Sequence, residues 1–134
     1  MTAGDMIAYV DGVEPNQFST GQKLAWLNEL DGLAWDELVM THVPTRAGEH
    51  CSPLRQEPER TVIDSVAAEL LIPSPYGESV YNHYLQAMIA AENGEAGKYN
   101  QQMLLYNTAY QRYADRFNRT HMPKAARGGN RIRF

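Results

Sequence analysis

Four histidines, one cysteine and a scatter of carboxylates are the residues of this chain that can do acid–base, nucleophilic or metal chemistry. Few of them fall at useful spacings. His42, His50 and Cys51 are metal-ligand types close in sequence, but they match no recognised zinc spacing, and no metal is expected there. None of the four histidines, His42, His50, His83 and His121, sits in a nucleophile-elbow sequence. His83 lies among Tyr81, Tyr84 and Leu85, where it reads as a hydrogen-bonded or solvent-facing side chain. Gly128-Gly129 lacks the Lys-Ser and the strand-to-helix setting of a phosphate loop. The carboxylate pairs Asp36-Glu37 and Glu57/Glu59 lie in polar surroundings, where solvated charge is the default. Asn118-Arg119-Thr120 has the form of a glycosylation sequon, with no export signal ahead of it. The expectation is a chain with no catalytic residues, no cofactor and no metal.

Two other residue sets point to binding rather than catalysis. Tyr99, Met103, Tyr106, Tyr110, Tyr113 and Phe117 are spaced four, three, four, three and four apart, which puts them on one stripe of a helix. A tyrosine-rich seam is apolar in body, yet its hydroxyls need partners when buried. It reads either as an ordinary core edge or as a surface half-buried against another subunit. The second set is electrostatic. Residues 1–108 hold five of the 12 basic and 15 of the 16 acidic groups, a net charge of -10, whereas the last 26 residues hold seven basic and one acidic, a net of +6. An acidic body therefore ends in a basic tail, Lys124, Arg127, Arg131 and Arg133, interleaved with Ile132 and Phe134. Such a tail suits nucleic acid, an acidic protein surface or a neighbouring copy, and its charge does not choose among them.

The elements that must position these residues are mostly helical. Thr2 to Val10 forms a short helix, with Met6, Ile7 and Val10 inward, stopped at Asp11-Gly12. Ser19, with Gln22 three positions on, opens a second helix that runs to about Met40. Leu24, Leu27, Leu30, Ala34 and Leu38 form its stripe, widened by Trp26, Leu33 and Val39. Gly32 inside it signals a close packing contact or a bend. Residues 43–60 contain Pro44, Gly48, Pro53 and Pro58 and read as a long loop. Thr61-Val62-Ile63 and Leu70-Leu71-Ile72 read as short extended pieces. Ser74 and Pro75 open a third helix with Tyr81, Tyr84, Leu85, Met88 and Ile89 on its apolar stripe. Asn93-Gly94 ends it, and the link to a fourth helix, Glu95 to Asn118, is so short that the two must run antiparallel. The fold class is mainly α: a small helical bundle with a long antiparallel C-terminal hairpin and a short β-hairpin or extended segment in the middle. Residues 1–120 are expected to form one domain, and 121–134 a flexible basic tail.

At 134 residues the chain suits a single core. The lone Cys51 allows no internal disulfide, and no stretch has the basic and apolar regions of a signal peptide or the length of a membrane span. A protein made in the cytoplasm, without a membrane partner, is the expectation.

Several segments carry a family resemblance: Leu-Leu-Ile-Pro-Ser-Pro-Tyr at 70–76, Asn-Gly-Glu at 93–95, Tyr-Asn at 99–100, Tyr-Asn-Thr-Ala-Tyr at 106–110 and Asn-Arg-Thr-His-Met-Pro at 118–123. Phe18-Ser19 and Trp26-Leu27-Asn28-Glu29-Leu30-Asp31-Gly32 fit as well, whereas 43–60 does not. Through these the chain resembles the head-to-tail connector, or adaptor, proteins of tailed phages and prophages. The resemblance implies a virion protein made in the bacterial host. It would join a homo-oligomeric ring, commonly dodecameric, beneath the portal protein, extend the channel through which DNA passes without specific binding, and give a platform for a tail or stopper protein. It also implies that Lys124, Arg127, Arg131, Ile132, Arg133 and Phe134 engage the portal, and that 43–60 meets the next ring component or faces the channel. The alternative is a small nucleic-acid-binding or regulatory protein that uses the basic tail.

Overall fold

The computed structural model describes residues 1–42 and 60–121. Helix α1 spans Ala3–Val13, α2 spans Thr20–Ala34 and passes directly into a π-helical turn at Trp35–Val39, α3 spans Tyr76–Glu92 and α4 spans Ala96–Thr120. No strand occurs among the described residues; Thr2 and Glu69 form a single isolated β-bridge. No helix among them is long and apolar enough to cross a membrane.

The helix starts follow from local chemistry. Thr2 accepts the Asp5 backbone N–H at 3.2 Å while the Asp5 carboxylate takes the Thr2 N–H at 3.3 Å, a reciprocal capping box. Helix α1 runs on to Val13, past the expected stop at Asp11-Gly12. Ser19 caps α2 by accepting the Gln22 N–H at 3.1 Å, one half of the expected box. Helix α3 begins one residue later than expected. Pro75 occupies the capping position, and the Ser74 hydroxyl instead donates to Glu78 at 2.7 Å.

Helix α3 is the central element, packing against α4 along its length and against α1 and α2 on other sides. That is why its buried set, which includes Val80, Tyr81, Tyr84, Leu85, Ala87, Ile89 and Ala90, is wider than one stripe. The alanines let neighbouring helices approach. Gly94, at φ +74°, turns the chain between α3 and α4 in the left-handed conformation that glycine adopts without penalty. At 1.5 Å per residue α3 is about 26 Å long and α4 about 38 Å. The overhanging end of α4 packs on the π turn.

The π turn re-phases the second helix. The Met40 N–H donates to the Trp35 carbonyl at 2.9 Å, five residues back, so each residue turns through a smaller angle than in an α-helix. This keeps Leu38 buried in line with Leu30 and Ala34, whereas Leu33 lies outside the stripe and is half exposed.

The 60–72 segment is irregular rather than a β-hairpin, because its backbone bonds to helix side chains instead of to itself. Asn28 Oδ1 accepts the Ile63 N–H at 3.0 Å, Asp31 accepts the Leu71 N–H at 3.0 Å, and the Tyr81 hydroxyl accepts the Ile72 N–H at 2.8 Å. The bonds of Ala3 N–H to Ala68 and Gly4 N–H to Val66, both at 2.9 Å, dock the same segment on the start of α1.

Candidate functional site

The tyrosine stripe of α4 is built into the hairpin. Tyr113 and Phe117 are buried, while Tyr99, Tyr106 and Tyr110 are half-buried. The rings form a chain from one helix to the other: Tyr84 to Tyr106 at 5.2 Å between centroids, Tyr106 to Tyr110 at 5.9 Å, Tyr76 to Tyr113 at 5.8 Å and Tyr113 to Phe117 at 6.1 Å. Tilted pairs at these distances contribute beyond their buried area, about 0.5–1.5 kcal/mol each.

The hydroxyls of the seam find acids on the second helix. Tyr84 donates to Glu29 at 2.8 Å and Tyr110 to Glu37 at 3.4 Å, so the α3/α4 hairpin is latched to α2 and its π turn. Burial, reinforced by these carboxylates, pushes both phenols well above their ordinary pKa. The Tyr106 phenol is pushed up to about 12 by burial and by Glu37. None of them exchanges a proton near neutrality. The seam is thus a fixed packing surface and not a proton relay.

The outer face of α4 is different. Leu104 is 67% and Leu105 40% exposed, and Gln101, Thr108, Gln111, Arg112 and Asp115 share that face with them. Arg112, Arg116 and Arg119 are all exposed toward the C-terminal end, where cations complement the helix dipole. Arg116 lies 5.7 Å over the Tyr76 ring.

At that end of α4 sits a corner of aromatic rings. His121 stacks on Phe117 at 3.8 Å, His42 meets Phe117 edge-on at 4.9 Å, and the two imidazoles are 6.2 Å apart. Each Nδ1 faces a backbone carbonyl, Leu38 for His42 at 2.6 Å and Phe117 for His121 at 3.1 Å. His50 and Cys51, grouped with His42 in the sequence, lie outside the described residues, as do Lys124, Arg127, Arg131, Ile132, Arg133 and Phe134. Among the described residues no group of three or more His, Cys, Asp or Glu side chains could hold a metal. His83, on the seam's edge, bonds Gln102 at 2.7 Å.

A buried polar cluster went unnoticed in the sequence. Asp31, 1% exposed, accepts from the Tyr81 hydroxyl and from the Leu71 N–H. Burial pushes its carboxyl above the usual carboxylate range, although these hydrogen bonds and the Arg60 charge pull the other way. Beside it, one terminal nitrogen of the Arg60 guanidinium donates to the Asn28 carbonyl at 2.7 Å and to its side-chain oxygen at 2.6 Å. Gly32 is where the guanidinium packs, since a Cβ there would come within 3.3 Å of it. Between these groups opens a cavity of about 300 Å³, lined by Asp31, Trp35, Arg60, Thr61, Glu69, Leu70 and Leu71. The sequence did contain a signal. Asp31 lies four residues after Leu27 and three before Ala34, an acid on an apolar stripe. Lys23 lies four before Leu27, is buried, and pairs with Asp11 at 2.6 Å.

Comparison of the chain with protein families, with characterised protein sequences and with solved structures gave no match.

Proposed function

We propose that the chain is a structural subunit of a phage head-to-tail connector, docking beneath a portal as one copy of a ring in the virion. In this role it extends the DNA channel and offers a platform to a tail or stopper protein. The reading rests on the sequence resemblance, and one arrangement carries it furthest. His42 and His121, which directly precede the 43–59 stretch and nearly all of the basic tail, are 6.2 Å apart at the overhanging end of α4. The two stretches that the resemblance assigns to partners are therefore rooted at one corner of a rigid helical body. The exposed acids Asp5, Asp36, Glu37, Asp64 and Glu92 are consistent with a wall past which DNA slides, because phosphate is repelled rather than held.

The test is electron microscopy of the protein alone and mixed with the portal protein encoded beside it. Rings, or decoration of the portal by this chain, are expected. A protein that stays monomeric and never joins the portal overturns the reading.

The exposed Arg112, Arg116 and Arg119 on α4 favour a second reading, nucleic-acid binding through a basic end. Titration with duplex DNA at low and moderate salt separates the two. Tight, steeply salt-dependent binding that disappears when residues 121–134 are deleted supports the second reading over the first.

A further inference from the structure

One group lining the cavity beside Asp31 lacks a partner. Arg60 is anchored through a single terminal nitrogen on Asn28, but its Nε–H is buried and has no hydrogen-bond partner. A buried donor left without an acceptor costs about 1–3 kcal/mol, and more when the donor is charged. The nearby carboxylates do not fill the place. Asp31 already accepts from Tyr81 and Leu71, and Glu69 lies 2.9 Å from the amino group of Met1. The half-buried Trp35 adds a flat apolar wall to the same cavity, and Thr61 adds a hydroxyl.

We propose that this cavity is a binding site for a small carboxylate carried on a flat ring, with a carboxylate oxygen accepting the Arg60 Nε–H and the ring lying against Trp35. Guanidinium is the side-chain group best matched to a carboxylate, and its charge-assisted bonds are about twice as strong as neutral ones. Asn28 holds this guanidinium in place before any ligand arrives, so little side-chain freedom remains to be lost on binding. The volume of about 300 Å³ suits a ligand of one or two rings. Asp31 is the group that opposes an incoming anion. Its two hydrogen bonds disperse its charge, and burial favours its neutral form.

The test uses the full ¹⁵N-labelled chain and follows the arginine Nε–H and tryptophan indole N–H signals by NMR during titration with benzoate. Benzamide serves as the neutral ligand of the same shape. The Arg60 signal is identified by its loss in Arg60→Lys. Benzoate is expected to move the Arg60 and Trp35 signals together, with benzamide at least about tenfold weaker for want of the charge. No movement with benzoate, or equal affinity for both compounds, overturns the proposal, and both results come from the unaltered protein. Full benzoate affinity in a folded Arg60→Lys variant would overturn it as well. The outcome is independent of whether the chain joins a portal.

Discussion

Asp31 is the residue on which most of the polar interior depends, and its environment fixes how stability varies with pH. Its folded-state pKa is raised above the ordinary 3.8, so the folded chain holds this proton more tightly than the unfolded one. Stability contributed at this site is therefore greatest in acid and falls as the pH rises from about 3.8 through the folded-state pKa. Asp11 acts in the opposite sense. Burial raises its pKa, but hydrogen bonds from Lys23 and Asn16 outweigh burial and hold it below 3.8, so its contribution is present above that value and lost on acidification. Urea unfolding of Asp31→Asn between pH 4 and 8, taken here as about the range over which a shifted carboxylate titrates, should show a flatter pH profile than the wild type, because an amide oxygen still accepts but does not ionise. Asp31→Ala leaves the Tyr81 hydroxyl and the Leu71 N–H without this acceptor and should cost about 2–5 kcal/mol in the same measurement. The patterning of α2 made its apolar stripe legible, but charge within that stripe was overlooked. Lys23 and Asp31 stand at helical spacing with Leu27 and Ala34, which is where a buried ion pair or hydrogen-bonded acid has to be.

At the scale of elements, the hairpin and the helix starts could be read because their causes are local. Thr2 and Ser19 bond N–H groups three residues away, and Gly94 supplies a backbone conformation other residues resist. The 60–72 segment could not, because its partners Asn28, Asp31 and Tyr81 lie far along the chain and leave no periodic trace in it. Helix α3 carries the core. Leu85→Ala should cost about 2–5 kcal/mol in chemical denaturation. Gly77→Ala should also destabilise, since a Cβ there would run into the Ile72 carbonyl oxygen, a backbone atom that has no rotamer to move to. The outer face of α4 behaves differently. Leu104→Gln combined with Leu105→Gln should leave unfolding free energy within about 0.5 kcal/mol of the wild type, these being surface positions. If the connector reading holds and α4 faces a neighbouring copy, the same double variant should weaken ring assembly by electron microscopy while the monomer stays folded.

Across the whole molecule, the ends of the body are tied together by polar contacts. Lys98 at the start of α4 pairs with Glu14 after α1 at 3.2 Å, and Gln17 reaches Asn93 at 3.2 Å beside the hairpin turn. Lys98 and Glu14 are partly exposed, so Lys98→Met should change stability by at most about 1 kcal/mol, less at high salt, when measured by thermal unfolding. The charge asymmetry was plain in the sequence, as was the all-helical class. The corner where His42 and His121 meet was not, because it depends on how far α4 overhangs and on the turn that ends the second helix. That turn has a consequence for length variation. A π turn holds one residue more than an α turn, so removing Asp36 or Glu37, both exposed, would leave a continuous α-helix instead of a broken one. Everything beyond the deletion would rotate by about 100° about the helix axis. The helix would survive, but Leu38 would leave the core and His42 would lose Phe117. A one-residue deletion at 36 or 37 thus re-aims the chain leaving that corner without unfolding the α3/α4 hairpin.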